Sequence, residues 1–441
     1  MPDGLFMSTA ASPSDLSKKH ALVCLLAMGV LFYSSYGLAN WLAAQQGGVP
    51  EMAFAWERQI PFWAWTIVPY WSLNLCYAAA FFVAGSRAEL HRYIAQLVSA
   101  QAIAIVCFVL WPLQYTWPKP DVGGVSGWLF ASLAVFDQPY NQAPSLHIIL
   151  TMVVGRFYWH RLPERWRGLW LTWLLLIGLS VLTTYQHHFI DIPTGVLVGA
   201  LLWWAFPTHG ATPLRFRQPV YPRWLALYLG LAGVFTAAAL WGGVSAWLWL
   251  FWPVAACLLL AAAYGGLGAA ALQKQAHGRL SPAAALLLLP YLAVVRLNMA
   301  YWLRGVPASV TVADRLHIGS NTAAARFEAV VDVCAEYPLF RQPSYYHAQP
   351  MLDMVAPPLA DLQAAAAAVE QAHQQGRTVL VCCALGYGRS AAVVLLWLVR
   401  YGHCADLAAA IAVLKQARPQ MVLPAATRRH IEQALRLPES V

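Results

Sequence analysis

Eight apolar runs limit what this chain can fold into. They cover residues 21–44, 61–85, 97–117, 143–158, 168–183, 189–206, 224–241 and 246–272. A bilayer's hydrocarbon core, about 30 Å thick, offers a bare backbone no hydrogen-bond partners, so runs of this kind become helices that satisfy their own amides. Composition agrees: the 441 residues are 60% hydrophobic and 11% charged, against about a quarter charged in soluble domains. The expected first part is a membrane α-helical bundle. It has a cytoplasmic tail at 1–20, a six-span core over 21–207 and two further, linking spans over 208–280. Lys18 and Lys19 precede the first run and no small-residue cleavage site closes it, which predicts an uncleaved anchor.

A net charge of +9 would point to nucleic acid in a soluble protein. Here the basic residues sit in short loops between apolar runs. With the N-terminus inside, thirteen Lys and Arg residues fall on the cytoplasmic side and only Arg58 and Lys119 on the other. Lipid orientation by the positive-inside rule accounts for that bias, and no nucleic-acid partner is expected. The stretch "AALLLLPYLAVVRLNMAYWLRG" follows Ala283. As a ninth span it would bury Arg296 at a cost of about 2.5–3.5 kcal/mol. As a helix lying in the interface it suits Arg296 and Asn298 with their flanking Tyr and Trp. Residues 281–305 keep both readings, and the choice sets the side on which the remainder lies. The eight cysteines show no paired spacing, so no disulfide framework is expected.

From Val306 the pattern changes. "VTVAD", "RLHIGS", "FEAVVDVC" and "RTVLVCC" read as short strands, while "PPLADLQAAAAAVEQAHQQG" and "RSAAVVLLWLVRYG" read as helices closed by Gly376 and Gly402. This alternation predicts a small α/β domain over 306–441. Within it, "VCCALGYGRSAAVV" sets Ala384, Leu385, Gly386, Tyr387 and Gly388 between Cys383 and Arg389. A strand ending at Cys383, a flexible loop and a helix starting at Arg389 can curl their amides into an anion cradle. The same field stabilises a thiolate on Cys383, making it a nucleophile. Arg389 can grip two phosphate oxygens as a fork, and the Ser390 hydroxyl can assist departure of the sulfur. A plain strand–turn–helix with an incidental cysteine is the alternative.

Cys-x5-Arg followed by Ser resembles the signature of the cysteine-based dual-specificity phosphatases. The resemblance runs from Val306 to Leu437. It implies that Asp353, in "YYHAQPMLDMVAPPLADL", is the general acid that protonates the leaving oxygen; Asp361 is too close to Cys383 and helical. It also implies that "ARPQMVLP" belongs to the family's C-terminal helix. The family usually has His just before the nucleophile. Cys382 stands there instead, which removes a partner that orders the loop or supplies a regulatory disulfide. The helix before Val306, the Trp302 region and "HIGS" are similar to the layout of family members that dephosphorylate phosphatidylglycerophosphate.

A second constellation lies in the apolar part, in "NQAPSLHIIL" and "SVLTTYQHHFIDIPTG". His187 and Asp191 are four apart, so they share a helix face and can hydrogen-bond. His147 starts the fourth run and His187 the sixth, at similar depth. Two histidines and a carboxylate at one membrane level are costly without a function. Asp191 would orient His187 as nucleophile and His147 would protonate the leaving oxygen. These residues resemble the type-2 phosphatidic acid phosphatase superfamily. Pro144, Ser145, Leu146 and His147 match its second motif in the variant of the inositol phosphorylceramide synthase-like members, and Ser180, His187, Asp191 and Gly195 fit its third. Val181 replaces the third motif's usual arginine, and the Lys-rich first motif is absent, Lys119 being the only basic residue in its loop. His188 is expected to be structural.

The sequence thus predicts an integral multi-pass enzyme of a bacterial inner or cell membrane. A cytoplasmic cysteine phosphatase domain would join an extracytoplasmic histidine site, acting on a phospholipid or phosphoprotein. No zinc spacing, nucleotide-binding glycine loop or serine-elbow motif occurs, and no cofactor or metal is expected. The oligomeric state is left open.

Overall fold

The computed structural model describes residues 16–135, 138–208, 212–242 and 249–438; most of the expected tail at 1–20 lies outside them. The chain divides into two units, Met1–Gly210 with Gly242–Leu248 and Ala211–Trp241 with Trp249–Val441.

The first unit is helical: α1 (Lys18–Ala44), α2 (Ile67–Val83), α3 (Arg87–Leu110), α4 (Gly124–Ala134), α5 (Leu146–Trp159), α6 (Glu164–Thr183) and α7 (Asp191–Ala205). Ser17, Ser86 and Ser145 cap α1, α3 and α5, each hydroxyl accepting from an amide three residues on, which satisfies donors the helix start leaves orphaned. Two glycines set how α7 meets α5. A Cβ on Gly195 would lie 2.8 Å from Ser145 O, and one on Gly199 would lie 2.5 Å from Met152 Sδ. Spaced four apart, they let the two helices touch backbone to side chain.

The second unit opens with α8 (Pro222–Trp241) and α9 (Phe251–Ala262), continues through a π turn (Ala263–Leu267) and a 3-10 turn (Gly268–Leu272), then α10 (Pro282–Leu287) and α11 (Leu289–Trp302). Across the chain, six helical stretches are long and apolar enough to cross a membrane: Lys18–Ala44, Ala64–Val83, Arg87–Leu110, Glu164–Thr183, Pro222–Trp241 and Phe251–Leu272. The chain is a multi-pass membrane protein. The apolar run expected to begin at 97 in fact starts a helix at Arg87, where Ser86 provides the cap. The run ending at 272 is α-helical only to Ala262, because Gly266 and Gly268 take φ of 119° and 70°, a region that glycine enters without strain.

A five-stranded sheet follows, with β1 (Ser309–Ala313), β2 (Leu316–Ser320), β3 (Ala329–Cys334), β4 (Tyr345–Met351) and β5 (Val379–Cys383) in the order β1-β2-β5-β3-β4. β1 runs antiparallel to β2; the other pairings are parallel. β3 and β5 are buried at every residue, which is why they read as unbroken apolar runs. Helices α12 (Leu359–Gln374), α13 (Arg389–Arg400), α14 (Leu407–Ala417) and α15 (Ala425–Arg436) complete the domain. Gly376 and Gly402 end α12 and α13 with φ of 75° and 82°, as expected of αL closures. The largest core side chain, Trp397, contributes about 1.5–3 kcal/mol by burial and keeps its indole N–H on Glu370 Oε2 at 2.9 Å.

Two sequence readings need correction. "ARPQMVLP" is not helical: it links α14 to α15, since Pro419 and Pro424 have no N–H for a helix interior and bias the residues before them away from it. β4 falls in the stretch read only as the segment that carries the acid, where no strand was assigned; it is an edge strand and tolerates Pro350 there.

The chain before Val306 enters the core of this domain. On α11, Val295 and Met299 join the apolar cluster of the sheet, and Arg296 Nη1 donates to Tyr337 Oη at 3.2 Å. The side chain of Lys274, read from sequence as a loop charge, is fully buried. Its Nζ donates to Asp332 Oδ2 (2.6 Å), Cys334 O (2.6 Å) and Tyr337 O (2.9 Å). Burial alone would lower the Lys274 ammonium, but Asp332 holds it above its ordinary value.

Candidate active sites

β5 carries Cys383 to the C-terminal edge of the sheet, and α13 begins six residues later. Between them the loop carbonyls are tied outward. Ala384 O accepts from Ser320 Oγ (2.7 Å), Leu385 O from Arg418 Nη2 (3.0 Å) and Tyr387 O from Val422 N (2.8 Å). In a planar trans peptide the N–H points opposite to the carbonyl, so the amides of Leu385, Gly386 and Gly388 turn inward. Gly386 N–H reaches Cys383 Sγ at 3.3 Å, and Ser390 Oγ lies 3.4 Å from the same sulfur. Gly386 has φ 77°, and a Cβ there would sit 2.4 Å from Gly319 C. Only glycine fits both its conformation and its contact with "HIGS".

Arg389 is buried, and Glu336 holds it. Nη1 donates to Glu336 Oε2 (2.6 Å) and Met351 O (2.9 Å), and Nη2 donates to Glu336 Oε1 (2.5 Å). Of five guanidinium N–H donors, these bonds leave the Nε–H and one Nη2–H, which share an edge. Asp353 Oδ1 is 3.2 Å from Nε, an ion pair without the alignment of a hydrogen bond. That edge can take two phosphate oxygens as a fork. Burial would raise the Glu336 carboxyl, but the Arg389 guanidinium holds it below its ordinary value; burial would lower Arg389, but Asp353 and Glu336 hold it well above.

Cys382 lies on the opposite face of β5 from Cys383, as strand alternation requires. It packs with Ala323, Ala324, Val330, Leu339 and Leu380, and burial pushes its thiol well up. Both cysteines are free. Asp361 bonds to Gln349 Nε2 at 2.7 Å, and burial raises its carboxyl.

The first unit holds the second constellation. His147 sits in the first turn of α5, stacked on Tyr70 with ring centroids 3.8 Å apart, and its buried Nε2 has no hydrogen-bond partner among the described residues. His187 Nδ1 is 3.1 Å from Asp191 Oδ2, as expected, but not along a helix face. His187 lies in the connection before α7, whose first residue is Asp191, and Ser145 N–H donates to Asp191 O (3.1 Å), tying α7 to the α5 cap. His187 lines two cavities. One, about 250 Å³, is mostly apolar and includes His147, Tyr70 and Phe32; the other, about 330 Å³, is polar and includes Lys119, Gln142 and Gln186. His188 Nδ1 meets Glu57 Oε2 at 3.1 Å, and its ring stacks on Tyr115 at 4.4 Å. Ser180 is buried, its hydroxyl donating to Ile177 O at 2.6 Å. Among the described residues no His, Cys, Asp and Glu group is arranged to hold a metal ion.

Three residues in these sites were not singled out by sequence. Glu336 sits 53 positions from its partner, and no local spacing flags it. Lys119 was noted only as a lone basic residue. Tyr264, in the π turn, donates to Asp353 O at 3.0 Å, yet reads as one more aromatic in an apolar run.

A thiol in an amide cradle followed by a forked arginine, and a carboxylate-bonded histidine lining one cavity with a second histidine, are both arrangements that suit phosphoryl groups. The protein is a phosphatase, a phosphoric monoester hydrolase. Residues 59–205 match the PAP2 superfamily, and residues 313–434 match the dual specificity phosphatase catalytic domain; the chain joins both in one polypeptide. Among solved structures it is similar to human DUSP28 (29% identity over 30% of this chain and 94% of that chain, TM-score 0.28). It is also similar to Tk-PTP in the active form (21%, 30% and 98%, TM-score 0.27) and to PTPMT1 in complex with PI(5)P (15%, 30% and 96%, TM-score 0.27). No curated protein matches the chain.

Proposed function

We propose that the C-terminal unit removes a terminal phosphate from a membrane lipid through a cysteinyl-phosphate, and that the helical unit carries a second, histidine-based phosphoryl-transfer site. The observation that carries the first part is the Nε–Nη2 edge of Arg389, which Glu336 and Met351 leave free of hydrogen bonds and which meets the Asp353 carboxylate, on the helix that follows the Cys383 loop. The edge holds two non-bridging oxygens while the Cys383 thiolate attacks phosphorus. The bond from phosphorus to the head-group oxygen breaks, and Asp353 gives that oxygen its proton. Water then attacks the cysteinyl-phosphate and Asp353 takes the water proton; the phosphorus–sulfur bond breaks, inorganic phosphate leaves, and the sulfur departs as a thiolate that accepts a hydrogen bond from Ser390.

Membrane delivery of the substrate is supported by α8 and α9, which belong to this unit, and by α11. That helix, 14 residues and thus about 21 Å long, exposes Val294, Leu297 and Tyr301 on one side and suits a bilayer surface. Loop charge supports a cytoplasmic Cys383 and an extracytoplasmic His187. In the second site Nδ1 of His187 is fixed by Asp191, freeing Nε2 to attack phosphorus, and His147 protonates the leaving oxygen. Water or an alcohol then attacks the phosphohistidine, its proton passes to His147, and the phosphorus–nitrogen bond to His187 breaks.

The test is phosphate release by the full chain from vesicles carrying phosphatidic acid or phosphatidylglycerophosphate, and from a phosphotyrosine peptide. Hydrolysis of a lipid is expected to fall in Cys383→Ser or in His187→Ala, according to which site takes it. Turnover of the peptide alone makes this a signalling phosphatase. Rates unchanged in both variants remove the enzymatic reading of both sites.

A further inference from the structure

Tyr264 has no part in the chemistry above, yet it touches the loop that bears the acid. It sits in the turn that ends α9, buried, with its hydroxyl on the Asp353 backbone carbonyl at 3.0 Å. The turn is itself fixed: Tyr264 O accepts from Tyr221 N (2.8 Å), and Gly266 O accepts from Arg217 N (3.1 Å) and Gln218 N (3.0 Å). The Tyr264 ring stacks on Tyr228 of α8 with centroids 5.6 Å apart and meets Trp224 at 6.0 Å. A phenol held on both sides has little freedom, so it reaches the loop as a rigid strut.

The loop needs one. Asp353 is half exposed at its side chain, and the next residue, Met354, takes φ 60°, a left-handed conformation that strains a side chain with a Cβ. An exposed, strained turn keeps one geometry only if something outside it fixes it. We propose that Tyr264 is a positioning residue for Asp353: while Arg389 pairs with the Asp353 carboxylate, the α8–α9 hairpin holds the acid's backbone over the phosphate through this bond, so the phosphatase site is completed by the membrane part of the same unit. The inference rests on the cysteinyl-phosphate reading and adds to it that the enzyme is built for leaving groups needing a proton, the alkoxides of lipid head groups.

Leaving-group dependence separates positioning from scaffolding. p-Nitrophenolate departs as a stable anion, whereas an alkoxide needs the acid. In full-length protein carrying His187→Ala, so that only the cysteine site acts, Tyr264→Phe is expected to lower kcat/KM on dioctanoyl phosphatidic acid about tenfold or more, a part of the ~10²–10⁴ an acid supplies. On p-nitrophenyl phosphate kcat/KM, which ends at attack by the thiolate and so omits the later step in which Asp353 takes the water proton, should change less than twofold, which also certifies the fold. Asp353→Asn should lose at least as much on the lipid as Tyr264→Phe does, and the double variant should be no slower on it than Asp353→Asn alone. Equal losses on both substrates, no loss on either, or additive losses in the double variant overturn the proposal. Hydrolysis of p-nitrophenyl phosphate that survives Cys383→Ser in the same background overturns the cysteinyl-phosphate reading, and the proposal with it.

Discussion

Lys274→Met is expected to destabilise the C-terminal unit by about 3–5 kcal/mol, the cost of removing one partner from a buried ion pair. The pair is as buried as an ion pair can be: both side chains are fully covered, 2.6 Å apart. Without Lys274, Asp332 keeps the Cys334 amide (2.9 Å) and the Tyr346 hydroxyl (2.9 Å), two hydrogen bonds for a charge with no counterion. Lys274→Met combined with Asp332→Asn removes the orphaned charge and should recover more than half of the loss. The readout is the temperature at which the full chain loses p-nitrophenyl phosphate hydrolysis. A shift matching less than 1 kcal/mol, or no recovery in the double variant, would show the pair to be incidental. The same physics bears on truncation. A fragment of residues 306–441 lacks Lys274 and also Val295 and Met299 from its core, so it is expected to be unstable alone, although the family match begins only at residue 313.

Much of the site was legible because its chemistry is local. Cys383 to Ser390 is one strand end, one loop and one helix start, and strand burial, glycine content and helix patterning all lie within that stretch. His187 and Asp191 are likewise close in sequence, although their bond forms across a connection and a helix start rather than along a helix. What stayed hidden is carried between distant segments. Glu336 differs from any other acidic residue only by its partner, Arg389, and Lys274 looked like a loop cation because nothing near it in sequence announces Asp332. Tyr264 was masked by composition: in a chain with 19 tyrosines and 21 tryptophans, an aromatic in an apolar run is unremarkable until its hydroxyl is seen to have a target. The π and 3-10 turns after α9 were hidden for the opposite reason, since glycines in an apolar run do not by themselves say whether a helix bends or breaks.

Glu336→Gln tests whether catalysis depends on how Arg389 is held rather than on its presence alone. The carboxylate takes both Nη atoms as a fork, which fixes the guanidinium plane and so aims the Nε–Nη2 edge. An amide offers one oxygen and no charge, so one Nη loses its acceptor and the plane can rotate. Misplacement of a positioning group by about 1 Å costs on the order of 10²-fold, and a fall of that size in kcat/KM is expected, with weaker inhibition by inorganic phosphate because the same edge grips both. A change of less than threefold would mean that Met351 O and Asp353 orient Arg389 without Glu336. Acid stability gives an independent check. The Glu336 carboxyl lies below its ordinary value in the folded protein. Its contribution is therefore complete above the ordinary carboxylate range and is lost as the pH falls through the lower folded value. Glu336→Gln removes that titration, so the variant should be less stable than the parent at neutral pH and should lose less of its remaining stability on acidification. A parent and variant that lose stability in parallel as the pH drops would place the acid sensitivity in other carboxylates.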